Sequence, residues 1–209
     1  MAAQEGPITQ VAEHEIAGRD LAWWGMIFFI ASEALIFANL IAAYLYLEIR
    51  NGGGWDPPAE SGLILPLINT VILLSSSIPA HIAGTSIARG NLRATKLGFL
   101  FAIILGVIFL GGQVFEYSGL IVHNFTPSTG LTQQSAVFGS AFFTLTGFHG
   151  LHVTVGLIFL LIVLVRTMLG HFTPQKHFAI EAAEMYWHFV DGVWVVVFST
   201  VYLLPLLFR

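Results

Sequence analysis

No cysteine occurs among the 209 residues. That excludes a disulfide framework, a thiolate metal site and a cysteine nucleophile. Charge is scarce too: 10% of residues are Asp, Glu, Lys or Arg, against about 25% in an ordinary soluble domain. So few polar groups cannot cover the surface of a soluble globular enzyme. The net charge of −4 offers no basic patch, so nucleic acid is not an expected partner. What the chain has in quantity is apolar: 56% of residues are hydrophobic and 13% are Phe, Trp or Tyr. Disordered chains are polar and poor in aromatics, so that class falls away as well. The class that remains is a polytopic membrane protein.

A helix crossing the hydrocarbon core needs about 20 mostly apolar residues. Five segments qualify, at about 21–47, 62–88, 97–118, 135–165 and 181–207. The expected fold is therefore all-α, a transmembrane bundle of five helices over residues 21–209. Residues 1–20 hold Glu5, Glu13, Glu15 and Asp20 and no apolar core. They read as a polar tail, neither signal peptide nor transit peptide, with Asp20 placed to cap the first helix. The segments NGGGWDPP and NFTPSTGLTQQS read as turn-rich loops. No repeat of transporter kind is visible.

Five spans put the termini on opposite sides. Arg19, Arg89, Arg93, Lys96, Arg166 and Lys176 fall on the side of the N-terminus, and Arg50 and Arg209 on the other. Cytoplasmic loops carry the excess of Lys and Arg, so the N-terminus is expected in the cytoplasm and the C-terminus outside.

Ionisable groups inside a span are costly and mark function or helix-to-helix bonding. Glu33 lies near the middle of the first span, on a face with Phe29, Ile30, Ile36 and Phe37. It reads either as a proton-exchanging group or partner contact, or as a protonated side chain donating one bond between helices. On the fifth span Glu181, Glu184, His188 and Asp191 are spaced by 3, 4 and 3 residues and form one polar stripe. It must face protein, head groups or water. On the fourth span Thr146, His149 and His152 recur every three residues, among Gly147, Gly150 and Gly156, which let helices approach. Two His at this spacing invite a metal, but metal sites need further ligands and an oriented surrounding shell. The expectation is no metal here and buried His bonded to backbone or carboxylate. A haem is not expected either, since two axial His three residues apart on one helix cannot hold opposite faces of one ring. His81, near Pro79, and Glu116, near His123, are expected toward the interfaces, at head-group level.

Three runs carry a family resemblance. EAAEMYWHFVDGVWVVVFSTVYLL (181–204) resembles the last helix of subunit III of haem-copper respiratory oxidases, where a YWHFVDVVW-like signature stands. FTLTGFHGLHVTVGLIFL (143–160) resembles its preceding helix, with a TGFHGLHV signature. WWGMIFFIASEALIFANLIAAYLY (23–46) resembles the helix that carries a membrane glutamate. The three occur in the family's order and the resemblance covers nearly the whole chain; the second and third spans match by hydropathy and position.

The resemblance implies an integral subunit of a proton-pumping terminal oxidase of the bacterial plasma membrane, in which O2 is reduced to water. Such a chain carries no redox centre; haems and copper lie in partner subunits. Expected partners are subunit I in direct contact, subunit II, a small subunit IV and bound phospholipid. The implied roles are stabilising subunit I, sustaining its proton uptake and holding lipid. Residue by residue, Glu33 matches the family's membrane glutamate, His149 and His152 its two histidines, and Glu181, His188 and Asp191 its last-helix polar positions. Glu184 departs from the pattern, standing where an apolar or small residue is usual, and Gly192 replaces an aliphatic residue. The mitochondrial form has seven helices; this chain corresponds to five, lacking the first two. A quinol oxidase of the same superfamily is the alternative within the family. A stand-alone proton-coupled transporter using Glu33 and Asp191 is the alternative outside it.

Overall fold

Inside a bilayer the backbone has no water to bond, so an apolar run can cross only by bonding to itself as a helix. The computed structural model of the chain describes residues 21–51, 55, 63–122 and 133–207. Five of its helices are long and apolar enough to cross a membrane. They are α1 (Leu21–Arg50), α2 (Ile64–Ala88), α3 (Leu92–Val122), α4 (Gln133–Met168) and α5 (Phe178–Phe198). The last continues through a π-helical turn (Ser199–Leu203) into a short α6 (Leu204–Leu207). The described residues contain no named strand. The tail 1–20, most of the NGGGWDPP segment and the loop before α4 lie outside the described residues.

Several helices outrun their apolar runs. α3 starts at Leu92 and has 31 residues, roughly 46 Å at 1.5 Å per residue, against a hydrocarbon core of about 30 Å. Lipid thickness limits the apolar run and leaves the helix free to extend beyond it. Local caps set the ends instead. The Asn91 side chain accepts the backbone N–H of Ala94 at 3.1 Å and opens α3.

Two tight turns close one end of the bundle. Gly90 (φ 73°) and Gly170 (φ 76°) adopt the left-handed conformation that favours glycine. After α2, Asn91 N–H donates to Ser86 O at 3.0 Å and Gly90 N–H to Ile87 O at 2.9 Å. After α4, His171 N–H donates to Arg166 O at 3.0 Å and Gly170 N–H to Thr167 O at 3.2 Å. Both patterns are Schellman turns, which satisfy the last carbonyls of a helix. The three-residue turn 89–91 makes α2 and α3 antiparallel neighbours.

Between helices in lipid, small residues and polar bonds replace the hydrophobic drive available in water. α5 sits at the centre: ten of its 21 residues are buried. Trp187 and Trp194 are fully buried and so are packing groups. Trp187 Nε1 donates to Ser76 Oγ at 2.8 Å and Trp194 Nε1 to Thr70 Oγ1 at 2.9 Å, both on α2. A Cβ at Gly106 of α3 would lie 2.7 Å from the Trp187 ring, and one at Gly156 of α4 would lie 2.9 Å from it. The indole thus fills a slot that exists only because both walls are glycine. α1 is the outlier. Only Phe37 and Tyr44 of it are buried, and it packs on α4 and α5.

Candidate functional site

The membrane-embedded polar groups do not form one constellation. Most divide into pairs and small clusters that join two helices.

Glu33 on α1 faces α4, where its Oε2 lies 2.9 Å from His152 Nε2. The other ring nitrogen, Nδ1, lies 2.9 Å from the backbone carbonyl of Phe148. A carbonyl only accepts, so Nδ1 carries a proton. The contact between Nε2 and Glu33 then needs one proton, on either partner, and the pair is neutral as a unit both ways. Phe37 and Phe148 each place a ring centroid 4.8 Å from His152. Ser32 and Asn39, the nearest polar residues on α1, bond to carbonyls of their own helix instead.

His149, three residues before His152, points elsewhere. It is 1% exposed and lies 4.8 Å from the Trp194 ring at an interplanar angle of 31°. Neither of its ring nitrogens has a hydrogen-bond partner among the described residues. The expectation of a bonded His holds for the geometry of His152 and fails for His149, whose contacts are aromatic faces.

The stripe on α5 splits. Glu181 turns back to His177, one turn earlier, at 3.0 Å, half-exposed. The remaining three face α2. Ser77 Oγ bonds to Asp191 Oδ2 and lies 3.0 Å from His188 Nδ1. Glu184 Oε1 lies 2.7 Å from His81 Nδ1 and 3.6 Å from His188 Nε2. Gly84 of α2 lies against the Glu184 carboxylate, and a Cβ there would overlap it. His188 and Asp191, neighbours on the stripe, are thus bridged by a serine from another helix. His81 is exposed as expected, yet it is paired.

Glu116 corrects an expectation. Read as a head-group-level residue near the end of a span, it is 4% exposed and lies inside α3. Its Oε1 accepts from Tyr202 Oη at 2.9 Å and its Oε2 from Gln113 Nε2 at 3.1 Å. The helix runs on to Val122, so the carboxylate is carried inside the bundle. Its neighbour Tyr117 bonds to Thr146 of α4 at 2.6 Å.

Sequence reasoning missed Ser76, Ser77, Gln113 and Tyr202. A signal existed for the first three. Ser75, Ser76 and Ser77 stand together in an otherwise apolar run, and Gln113 precedes Glu116 by three residues, the spacing of facing helix neighbours. Nothing local marks Tyr202.

Between α1 and α4 an apolar recess of about 180 Å³ is lined by Leu40, Ala43, Tyr44, Leu47, Ser140 and Thr144 among others. Elsewhere on α1, Phe28, Leu35 and Ile36 are exposed.

Comparison with known proteins places these residues in context. The family model described as cytochrome c oxidase subunit III matches residues 3–205. A cytochrome c oxidase subunit 3 from Synechocystis sp. is 42% identical over 189 residues, covering 88% of this chain and 76% of its own. One from Thermostichus vulcanus is 38% identical over 194 residues, covering 92% of each. A probable cytochrome c oxidase subunit 3 from Mycobacterium leprae is 35% identical over 189 residues, covering 90% of this chain and 91% of its own.

Proposed function

The chain belongs to the cytochrome c oxidase subunit III family, and from that premise we propose that it works as a non-catalytic scaffold beside the redox subunits. It is a multi-pass plasma membrane protein and a subunit III of a haem-copper oxidase, so it assembles with other oxidase subunits. The finer roles are our reading. The chain contacts subunit I directly, sustains its stability and proton uptake, and holds phospholipid. Haems and copper belong to the partner subunits. The electron donor is cytochrome c, a reading favoured over quinol by the names of the relatives.

One observation carries this reading: the intramembrane polar groups close on each other between helices. Glu33 with His152, Glu116 with Tyr202 and Gln113, and Asp191 with Ser77, His188, Glu184 and His81 are three sets that do not join one another among the described residues. A transporter or a proton channel would string such groups along one path. The exposed aromatic and aliphatic side of α1 and the apolar recess between α1 and α4 supply the surface for acyl chains or a partner helix.

The test is substitution at Glu33. In Glu33→Gln the amide N–H donates to His152 Nε2, so the bond survives while the titratable proton is gone. Oxygen reduction by the assembled oxidase should stay within about twofold of wild type, far from the 10²-fold or greater loss typical of a missing acid–base catalyst. Glu33→Ala should do more harm to assembly, because it orphans His152 at a cost of about 1–3 kcal/mol. Turnover assays with haem-normalised enzyme check both. A hundredfold loss in assembled Glu33→Gln oxidase would put the proton path through this chain.

Orientation follows from the Lys and Arg distribution, six on one side against two on the other. A reporter that is active only in the cytoplasm, fused after residue 209, should be silent. Activity there would reverse the topology.

A further inference from the structure

We propose that His81, Glu184 and His188 form a binding site for a redox-inert divalent cation of the zinc class, which cross-links α2 to α5. This goes beyond the scaffold reading and revises the expectation, drawn from sequence alone, that the chain holds no metal.

The three side chains converge so that one ligand atom from each lies within 4.8 Å of the others. Two imidazoles and one carboxylate are a donor set that suits zinc. Zinc bonds of about 2.0–2.1 Å in a tetrahedron set ligand atoms roughly 3.3 Å apart. The two distances from Glu184 Oε1, 2.7 Å to His81 Nδ1 and 3.6 Å to His188 Nε2, bracket that separation. Side-chain shifts that bring the two imidazoles to the same separation complete the geometry, with the fourth position left for water.

The surroundings orient the ligands. Ser77 has one hydroxyl proton, and giving it to the Asp191 carboxylate leaves Oγ to accept from His188 Nδ1–H. His188 is then fixed in the tautomer whose Nε2 lone pair points toward Glu184. A carboxylate acting on a metal-binding imidazole through a hydrogen bond is the usual outer shell of a zinc site. Glycine at position 84, one turn after His81, gives the Glu184 carboxylate its place against α2. Two acids and a dication also balance: Glu184 and Asp191 offset the ion, a better state in a membrane than two separate anions.

The trio opens at the surface of the chain, near one end of the bundle. His81 lies seven residues before the end of α2 and Glu184 six residues after the start of α5, roughly 10 Å from the helix ends. The His81 side chain is 64% exposed. Glu184 is the ligand that completes the trio.

The experiment uses the whole oxidase complex, stripped with a chelator, reloaded with Zn2+ and desalted, with zinc counted against haem iron by mass spectrometry. Wild-type oxidase should retain one zinc more per complex than Glu184→Ala and one more than His81→Ala. X-ray absorption at the zinc edge should show N/O ligands at about 2.0–2.1 Å and imidazole scattering. Ser77→Ala should lower zinc affinity by about 10–100-fold, the usual effect of losing an outer-shell partner. Mg2+ and Ca2+, which prefer oxygen cages, should not displace the zinc. His81 is a surface residue, so its variant keeps the test open if Glu184→Ala assembles poorly. Equal zinc counts in wild type and both variants overturn the proposal, as does wild-type enzyme that retains no zinc beyond them. The readout does not depend on oxygen reduction, so this site and the scaffold role stand or fall separately.

Discussion

Trp187→Ala should be among the most damaging single substitutions in the chain. The indole is fully buried, its Nε1 donates to Ser76 Oγ at 2.8 Å, and it lies between Gly106 and Gly156. Truncation empties a slot walled by α2, α3 and α4, and two of those walls are glycines with no side chain to collapse inward. Removing a large aromatic from such a site costs about 3–5 kcal/mol, and Ser76 loses its partner as well. The expected result is loss of the chain from the purified oxidase at temperatures where wild type stays bound, followed in a thermal ramp. Met168→Ala is the control: Met168 is 63% exposed at the end of α4, and such changes usually stay within about 0.5 kcal/mol. The complementary change fills the slot. Gly156→Ala should cost about 1–3 kcal/mol by overpacking, because the new Cβ meets the indole at 2.9 Å. If Trp187→Ala dissociates no sooner than Met168→Ala, the central wedge is not what holds α5.

Glu116→Ala should come next. It leaves the Tyr202 hydroxyl and the Gln113 amide without an acceptor in a buried place, each orphan costing about 1–3 kcal/mol. Glu116→Gln keeps an acceptor for Tyr202 and should cost less. The pair also makes a thermodynamic cycle. Tyr202→Phe in a Glu116→Ala background has little left to break, so the double variant should be less damaged than the sum of the singles by about 1 kcal/mol or more, within the range for contacting residues. Additive losses would show that the carboxylate and the phenol act independently, against their 2.9 Å bond.

The sequence made the architecture readable and left the pairing hidden, for a physical reason. Lipid imposes one rule on every span, a long apolar run that bonds to itself, and that rule acts locally. Hence the five spans and the residues that break them, Glu33, Glu184, His188 and Asp191, were legible without a structure. What each of those residues touches is set by helices far away in the chain: His152 lies 119 residues from Glu33, and Ser77 lies 114 from Asp191. Glu116 was misplaced because hydropathy marks the edge of the apolar run, while α3 continues to Val122. His149 and His152 looked equivalent by spacing, yet one faces Glu33 and the other Trp194. Two residues three apart differ by about 60° around a helix, which is enough to give them different neighbours.

The sparse packing of α1 has a consequence for how the protein is made. α1 is synthesised first among the five spans, yet it rests on α4 and α5. At about 5–20 residues per second, the 119 residues that separate Glu33 from His152 take roughly 6–24 s to follow. Throughout that interval α1 waits in the bilayer with its carboxyl unmatched, and α2 and α3 find each other before α4 is complete. The newborn chain thus passes through a stage in which its first helix is inserted but undocked. Docking of α1 then becomes the event that reports whether the last two helices have arrived.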